Sequence, residues 1–135
     1  MRYLLDTNVC IHAMRGHGAV VKAIAAQSPQ DLGVSSITYY ELFTGIEKCA
    51  NSERERVKVE TFIGALRHVA FDSSAAIHAA RVRARLEASG QMIGPYDILI
   101  AGQALSLGAV LATANADEFS RVSGLVVENW SIDSP

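Results

Sequence analysis

Cysteine is scarce in this chain: Cys10 and Cys49 are its only two among 135 residues, and no Cys-x-x-Cys spacing occurs. That excludes a disulfide-scaffolded mini-fold and a thiolate zinc site, and leaves two reduced thiols as the expectation. The four histidines, His12, His17, His68 and His78, show no mutual ligand spacing and read as structural or surface residues. Positive charge is in no excess either, with 12 Lys and Arg against 14 Asp and Glu, a formal net charge of −2. A free-standing nucleic-acid coat is thereby excluded, although local basic strips are not. No stretch approaches the roughly 18 consecutive apolar residues of a membrane span, and no basic segment introduces an apolar leader. The reading is a soluble, unprocessed, cytoplasmic protein without membrane contact.

With only three prolines, and no repeat, linker or low-complexity tract, nothing divides the chain. One domain over residues 1–135 is expected, since cores usually reach about 100–150 residues before a second forms. Half of the residues are hydrophobic, enough to leave apolar surface for a partner or a second copy.

The apolar run Tyr3-Leu4-Leu5 is too short for a helix and ends at Asp6. As a buried parallel strand it delivers that acid to the sheet's carboxyl edge, where open α/β sheets place their ligands. Thr7 and Asn8 offer N-cap chemistry to a helix from Val9 to Met14, and a plain capping role for Asp6 is the alternative. Gly16 and Gly18 break the chain before a helix from Ala19 to Gln27. Leu32 to Ser35 is a second strand, and a helix from Ser36 or Thr38 carries Tyr40, Glu41 and Phe43. A capping box of Ser52 and Glu55 opens a helix to about Leu66. His68 to Phe71 forms a strand, then Asp72 and Ser73 precede an Ala-rich helix to Ser89, stopped by Gly90. Gly94-Pro95 starts a central helix with Asp97 in its first turn and Gly108 at its end. Ala109 to Ala112 and Leu125 to Glu128 complete five strands, with a turn or short helix over Asn115 to Phe119 between them. This alternation predicts a three-layer α/β/α sandwich on a mainly parallel five-stranded sheet.

Four polar groups from different elements then meet one sheet edge: Asp6, Glu41, Asp97 and one of Asn115, Asp117 and Glu118. Taken singly, each has an ordinary explanation, as a cap, a snorkelling surface acid or a first-turn charge. Together they repel one another and raise each other's pKa unless a hard cation compensates. All-oxygen ligation selects Mg²⁺, with Mn²⁺ as a substitute.

The segments LLDTNVCIH, SSITYYELFTGIEK, GPYDILIAGQAL and TANADEFSRVSGLVVENW, in this order and over nearly the whole chain, resemble the VapC toxins of the PIN-domain family. The resemblance implies a Mg²⁺-dependent endoribonuclease, the toxin of a type II toxin–antitoxin module, silenced by a VapB-type antitoxin. It also implies a homodimer and a higher toxin–antitoxin assembly. Asp6 and Asp97 match the family's metal-binding aspartates, Glu41 its helical glutamate and Glu118 its later acid. Asn115 stands where some relatives carry aspartate, and this leaves the number of metal ions open.

The expected reaction is hydrolysis of a phosphodiester in single-stranded or looped RNA, an anticodon loop of tRNA among the candidates, with water as the nucleophile. Arg15, Arg81 and Arg85 are candidates for phosphate contacts. A haloacid-dehalogenase-like phosphatase would need a second acid where Asn8 stands. A structure-specific DNA nuclease would carry longer insertions, and a non-catalytic interaction module would have lost an anchoring acid.

Overall fold

The computed structural model describes residues 1–132. Five strands form one sheet: β1 (Tyr3–Leu5), β2 (Leu32–Ser35), β3 (Arg67–Val69), β4 (Val110–Thr113) and β5 (Val127–Asn129). They lie in the order β3-β2-β1-β4-β5, and every pairing is parallel. All carboxyl ends therefore share one edge. The chain leaves β1 for β2 on one side and returns to β4 on the other, so the topological switch point lies beside β1.

The period-two alternation of a strand sorts side chains between faces. Tyr3 and Leu5 pack into one core with Val34, Val9, Cys10, Val20, Leu42, Ile46, Val59 and Ile63. Val34 belongs to β2, and the partners from Val9 onward come from α1 (Thr7–Met14), α2 (Gly18–Ala25), α3 (Ser36–Lys48) and α4 (Ser52–Gly64). Leu4 and Leu111 face the opposite core with Ala79, Val82, Leu86, Ile98, Ile100 and Ala101, drawn from α5 (Ser73–Ser89) and α6 (Pro95–Leu107). The expected three layers are present, and the sheet is wholly rather than mainly parallel.

Helix α6 is the central element, with Ile98 and the run Ile100–Ala104 buried. Its closest neighbour is α5, and Gly102 makes the approach possible: a Cβ there would stand 2.4 Å from the Ala79 backbone.

Several caps differ from the sequence expectation. Asp6, not Thr7 or Asn8, caps α1, accepting from the Val9 amide at 2.7 Å. Asn51 caps α4 in place of Ser52, which becomes its first residue. Helix α2 begins at Gly18 rather than Ala19 and ends at Ala25 rather than Gln27. A 3₁₀ turn over Pro29–Asp31 was not expected, although proline at the first helical position favours one. Strand β3 stops at Val69 rather than Phe71, β4 sits one residue later than expected, and β5 starts two residues and ends one residue later. Asp72, Gly90 and Gly108 serve as expected, the two glycines adopting φ of 68° and 62°. Among the described residues, no helix is long and apolar enough to cross a membrane.

Candidate active site

At the carboxyl end of β1, Asp6 is almost fully buried, with 2% of its surface exposed. Both of its oxygens are used: Oδ1 caps α1, and Oδ2 accepts from the Thr113 hydroxyl at the end of β4. Capping α1 therefore takes one oxygen of Asp6 and leaves the carboxylate at the sheet's carboxyl edge. Its carboxyl is nonetheless pushed up to about 6 by burial, against the lowering effect of the Thr113 and Val9 hydrogen bonds and of His12.

Helix α3 starts directly after β2, with Ser35 as its cap, and so carries Glu41 to the same edge. The Thr7 hydroxyl donates to Glu41 Oε1 at 2.7 Å and lies 3.0 Å from the Thr38 hydroxyl. Asp97 occupies the first turn of α6, whose cap position is Gly94 and which has no side-chain cap. Burial raises its carboxyl to about 7, followed by the charge of Glu118, hydrogen bonding with Glu118, and the charges of Asp6 and Glu41.

Glu118 lies in α7 (Ala116–Phe119), the short helix after β4. Its Oε1 accepts from the Gly94 amide at 3.0 Å and its Oε2 from the Asn115 side-chain amide. Asp117 is exposed. Of the two neighbouring acids, Glu118 is the one that meets Asp97. Gly94 permits this: a Cβ at that position would lie 3.0 Å from Asp97 Oδ2 and 3.9 Å from Glu118 Oε1.

The structure therefore brings Asp6, Glu41, Asp97, Glu118 and Asn115 to one edge. Among the described residues no three acids, histidines or cysteines are gathered at ligand spacing. Uncompensated carboxylates hold apart and retain protons, and both effects reverse when a cation arrives. A donor set of carboxylate oxygens, two of them poised near neutrality, fits a hard divalent ion.

The arginines distribute differently. Exposed Arg15 lines a groove with Glu41 and Lys58. Arg81 and Arg85 are exposed on α5, and Arg85 lines a groove with Arg121, Val122 and Ser123 rather than with the acids. Arg83, midway between them in sequence and so on the other side of α5, lines a groove with Tyr96, though it pairs with Glu87 at 2.8 Å. Sequence reasoning missed Thr7, Thr38, Thr113 and Gly94. Hydroxyl and glycine positions carry no periodic signal, and their roles depend on which strand ends adjoin. It also set His12 aside, although that ring bears on Asp6.

The raised carboxyls have a consequence for stability. Both native values, about 6 and about 7, lie above the unfolded aspartate value of 3.8. The folded state therefore binds more protons than the unfolded chain between these limits, and stability falls as pH rises through that window. The contribution of Asp6 is about 3 kcal/mol, at about 1.4 kcal/mol per pH unit; that of half-exposed Asp97 is screened by solvent. Thermal melts in chelator are expected to show a lower melting temperature at pH 8 than at pH 5. The slope should flatten in an Asp6→Asn/Asp97→Asn variant, and Mg²⁺ at pH 8 should recover the loss. An unchanged slope in that variant would place the linkage elsewhere.

The PIN-domain family matches this chain over residues 3–125. A tRNA(fMet)-specific endonuclease VapC of Shigella flexneri is 37% identical over 97% of this chain and 99% of its own. The Salmonella typhimurium protein of the same description is 38% identical, over 96% and 98%. Among solved structures, a DNA-bound VapBC from Salmonella typhimurium superposes with a TM-score of 0.91 at 38% identity, covering 96% of this chain and 98% of that one. VapBC2 from Rickettsia felis, bound to a promoter DNA fragment, gives a TM-score of 0.89 at 32% identity, covering 96% and 99%. With its all-parallel sheet and full-length likeness to these proteins, the chain belongs to the PIN-domain family, among the VapC toxin ribonucleases.

Proposed function

We propose that this ribonuclease cuts a phosphodiester in looped or single-stranded RNA, with Asp6, Asp97 and Glu41 holding Mg²⁺ or Mn²⁺. The observation that carries the reading is the convergence of buried Asp6 and half-exposed Asp97 with Glu41 and Glu118 at the carboxyl edge of the sheet, where the neighbouring acids and burial raise the two aspartates. When bound, the cation supplies positive charge that acidifies water and offsets charge growing on the phosphate.

The chain's own groups do the rest. Thr113 and Thr7 keep Asp6 and Glu41 aimed, since each hydroxyl donates to a carboxylate oxygen. Glu118, fixed by the Gly94 amide and Asn115, keeps lone pairs with which to orient the attacking water. In-line attack by water leaves a 5′-phosphate and a 3′-hydroxyl. A thiolate nucleophile is not part of the reaction. Burial, with Asp6 beside it, pushes the Cys10 thiol far above its ordinary value, and exposed Cys49 has no hydrogen-bonded base among the described residues. The curated Shigella and Salmonella relatives act on tRNA(fMet) by their descriptions, and an anticodon loop is the substrate class proposed here.

A VapB-type antitoxin is the proposed partner. Its tail would lay apolar residues near the Tyr39 to Phe43 stretch and insert an Arg or Lys among the acids, where a guanidinium fork pairs bidentately with carboxylate. A homodimer and a larger complex with that antitoxin, in the cytoplasm, complete the proposal; the solved relatives include VapBC complexes.

Cleavage rates of variants test the fourth position. Glu118→Gln is expected to lower kcat by about a hundredfold, the size of a lost general acid–base or orienting group. Asp117→Asn, on an exposed residue, should stay within about twofold. Asn115→Asp should be tolerated and tighten metal binding. Equal, negligible effects at Asp117 and Glu118 would mean that three acids suffice.

A further inference from the structure

Nine aromatic residues occur in the chain, and only Tyr40 and Tyr96 are strongly exposed, at 57% and 40%. These two meet. One comes from α3 and the other from α6, their ring centroids are 5.4 Å apart at an interplanar angle of 55°, and the Tyr96 hydroxyl donates to that of Tyr40 at 3.3 Å. Each also directly precedes one of the proposed site acids, Glu41 or Asp97, one helical step of about 100° away. The rings line a cleft of about 280 Å³ with Glu41, Thr44 and Lys48. Tyr40, Thr44 and Lys48 stand on successive turns of one α3 face. Lys48 is exposed and forms no ion pair among the described residues.

We propose that Tyr40 and Tyr96 form a stacking seat for one nucleobase beside the scissile phosphate, with Lys48 meeting the phosphate that follows. The proposal rests on the ribonuclease reading. A chain of net charge −2, presenting four acids at its site, draws a polyanion weakly through phosphate contacts. Base stacking supplies affinity that does not depend on charge, and it tolerates any base because every base has a π-face. Unpaired loop bases are free to be splayed onto such rings. The tilt between the rings gives a base one ring face to lie on and a second ring at its edge. Two touching aromatic rings left open to water are also costly unless something covers them.

The test pairs protein variants with RNA lesions. A hairpin RNA cut by the wild-type protein is made abasic at each loop position in turn, and kcat/KM is measured for the wild type, Y40A/Y96A and Y40F/Y96F. At one position beside the cut, removing the base should cost the wild type about tenfold or more, the size of one stacking contact. In Y40A/Y96A the same lesion should cost less than about twofold, because the seat is already gone, whereas Y40F/Y96F should retain the wild-type penalty. In the unmutated protein, with Ca²⁺ in place of Mg²⁺, 2-aminopurine at that position should be quenched on binding. The proposal is overturned if abasic penalties are the same in the wild type and Y40A/Y96A at every position. It is equally overturned if the alanine variants weaken only antitoxin binding, which would assign the rings to that partner. A wild-type protein that cuts no RNA would instead overturn the ribonuclease reading beneath it.

Discussion

Replacing Asp97 by asparagine is expected to lower RNA cleavage by about a thousandfold or more while raising the melting temperature of the metal-free protein. The two effects have one cause. Asp97 is held at about 7 by burial and by Glu118, Asp6 and Glu41, so at pH 8 the fold carries a carboxylate that its surroundings disfavour. An amide removes that charge and can donate to Glu118, which should raise the midpoint by about 3 °C, the equivalent of about 1 kcal/mol after solvent screening is allowed for. The same amide ligates a hard cation weakly, and losing a metal ligand removes the cation's full electrostatic contribution to the transition state. Binding of Mg²⁺ by calorimetry and thermal melts with and without chelator separate the effects. A variant less stable than the wild type in chelator would mean that Asp97 is structural.

Gly102→Ala should produce the largest loss of stability of any single-methyl change in the chain. On helix propensity alone, alanine gains about 1 kcal/mol over glycine in a helix interior. Here the added methyl would fall 2.4 Å from the Ala79 Cα and N and 2.7 Å from its Cβ. Those first two are backbone atoms and cannot swing aside, so α5 and α6 must separate along their length. Overpacking of this kind costs up to about 3 kcal/mol or more, and the net effect should lower the melting temperature by about 5–10 °C in a domain of this size. The start of α6 presents Asp97, so activity should fall in parallel even below the midpoint. A variant of unchanged midpoint would show that the helices can part without cost.

This pair of helices shows where sequence reasoning reached and where it stopped. The apolar character of α6, the start at Gly94-Pro95 and the stop at Gly108 are written in local composition, and the element lies where they place it. The role of Gly102 is not local, because it depends on which residue of α5 faces it. Likewise, the strand run before Asp6 is a local signal, but a short run of three buried residues says nothing of Thr113, which donates to Asp6 from a strand more than a hundred residues away. The capping reading of Asp6 and the site reading competed in the sequence because each explains an acid after a strand. In the folded chain one oxygen caps α1 and the other accepts from Thr113 at the sheet's carboxyl edge. Glu118 and Asp117 are adjacent and chemically alike; only the turn of α7, which buries Phe119 and exposes Asp117, separates them. Strand ends slipped by one or two residues because short buried strands lack the alternation that would set their limits.

Cleavage of a looped RNA by the purified protein, with the termini of the products identified, tests the central claim most directly. The account predicts endonucleolytic cuts that require Mg²⁺ or Mn²⁺, stop in chelator, leave 5′-phosphate and 3′-hydroxyl ends, and disappear with Asp6→Asn or Asp97→Asn. Undiminished cutting in chelator, or 2′,3′-cyclic phosphate ends that mark attack by the RNA's own 2′-hydroxyl instead of water, would contradict it.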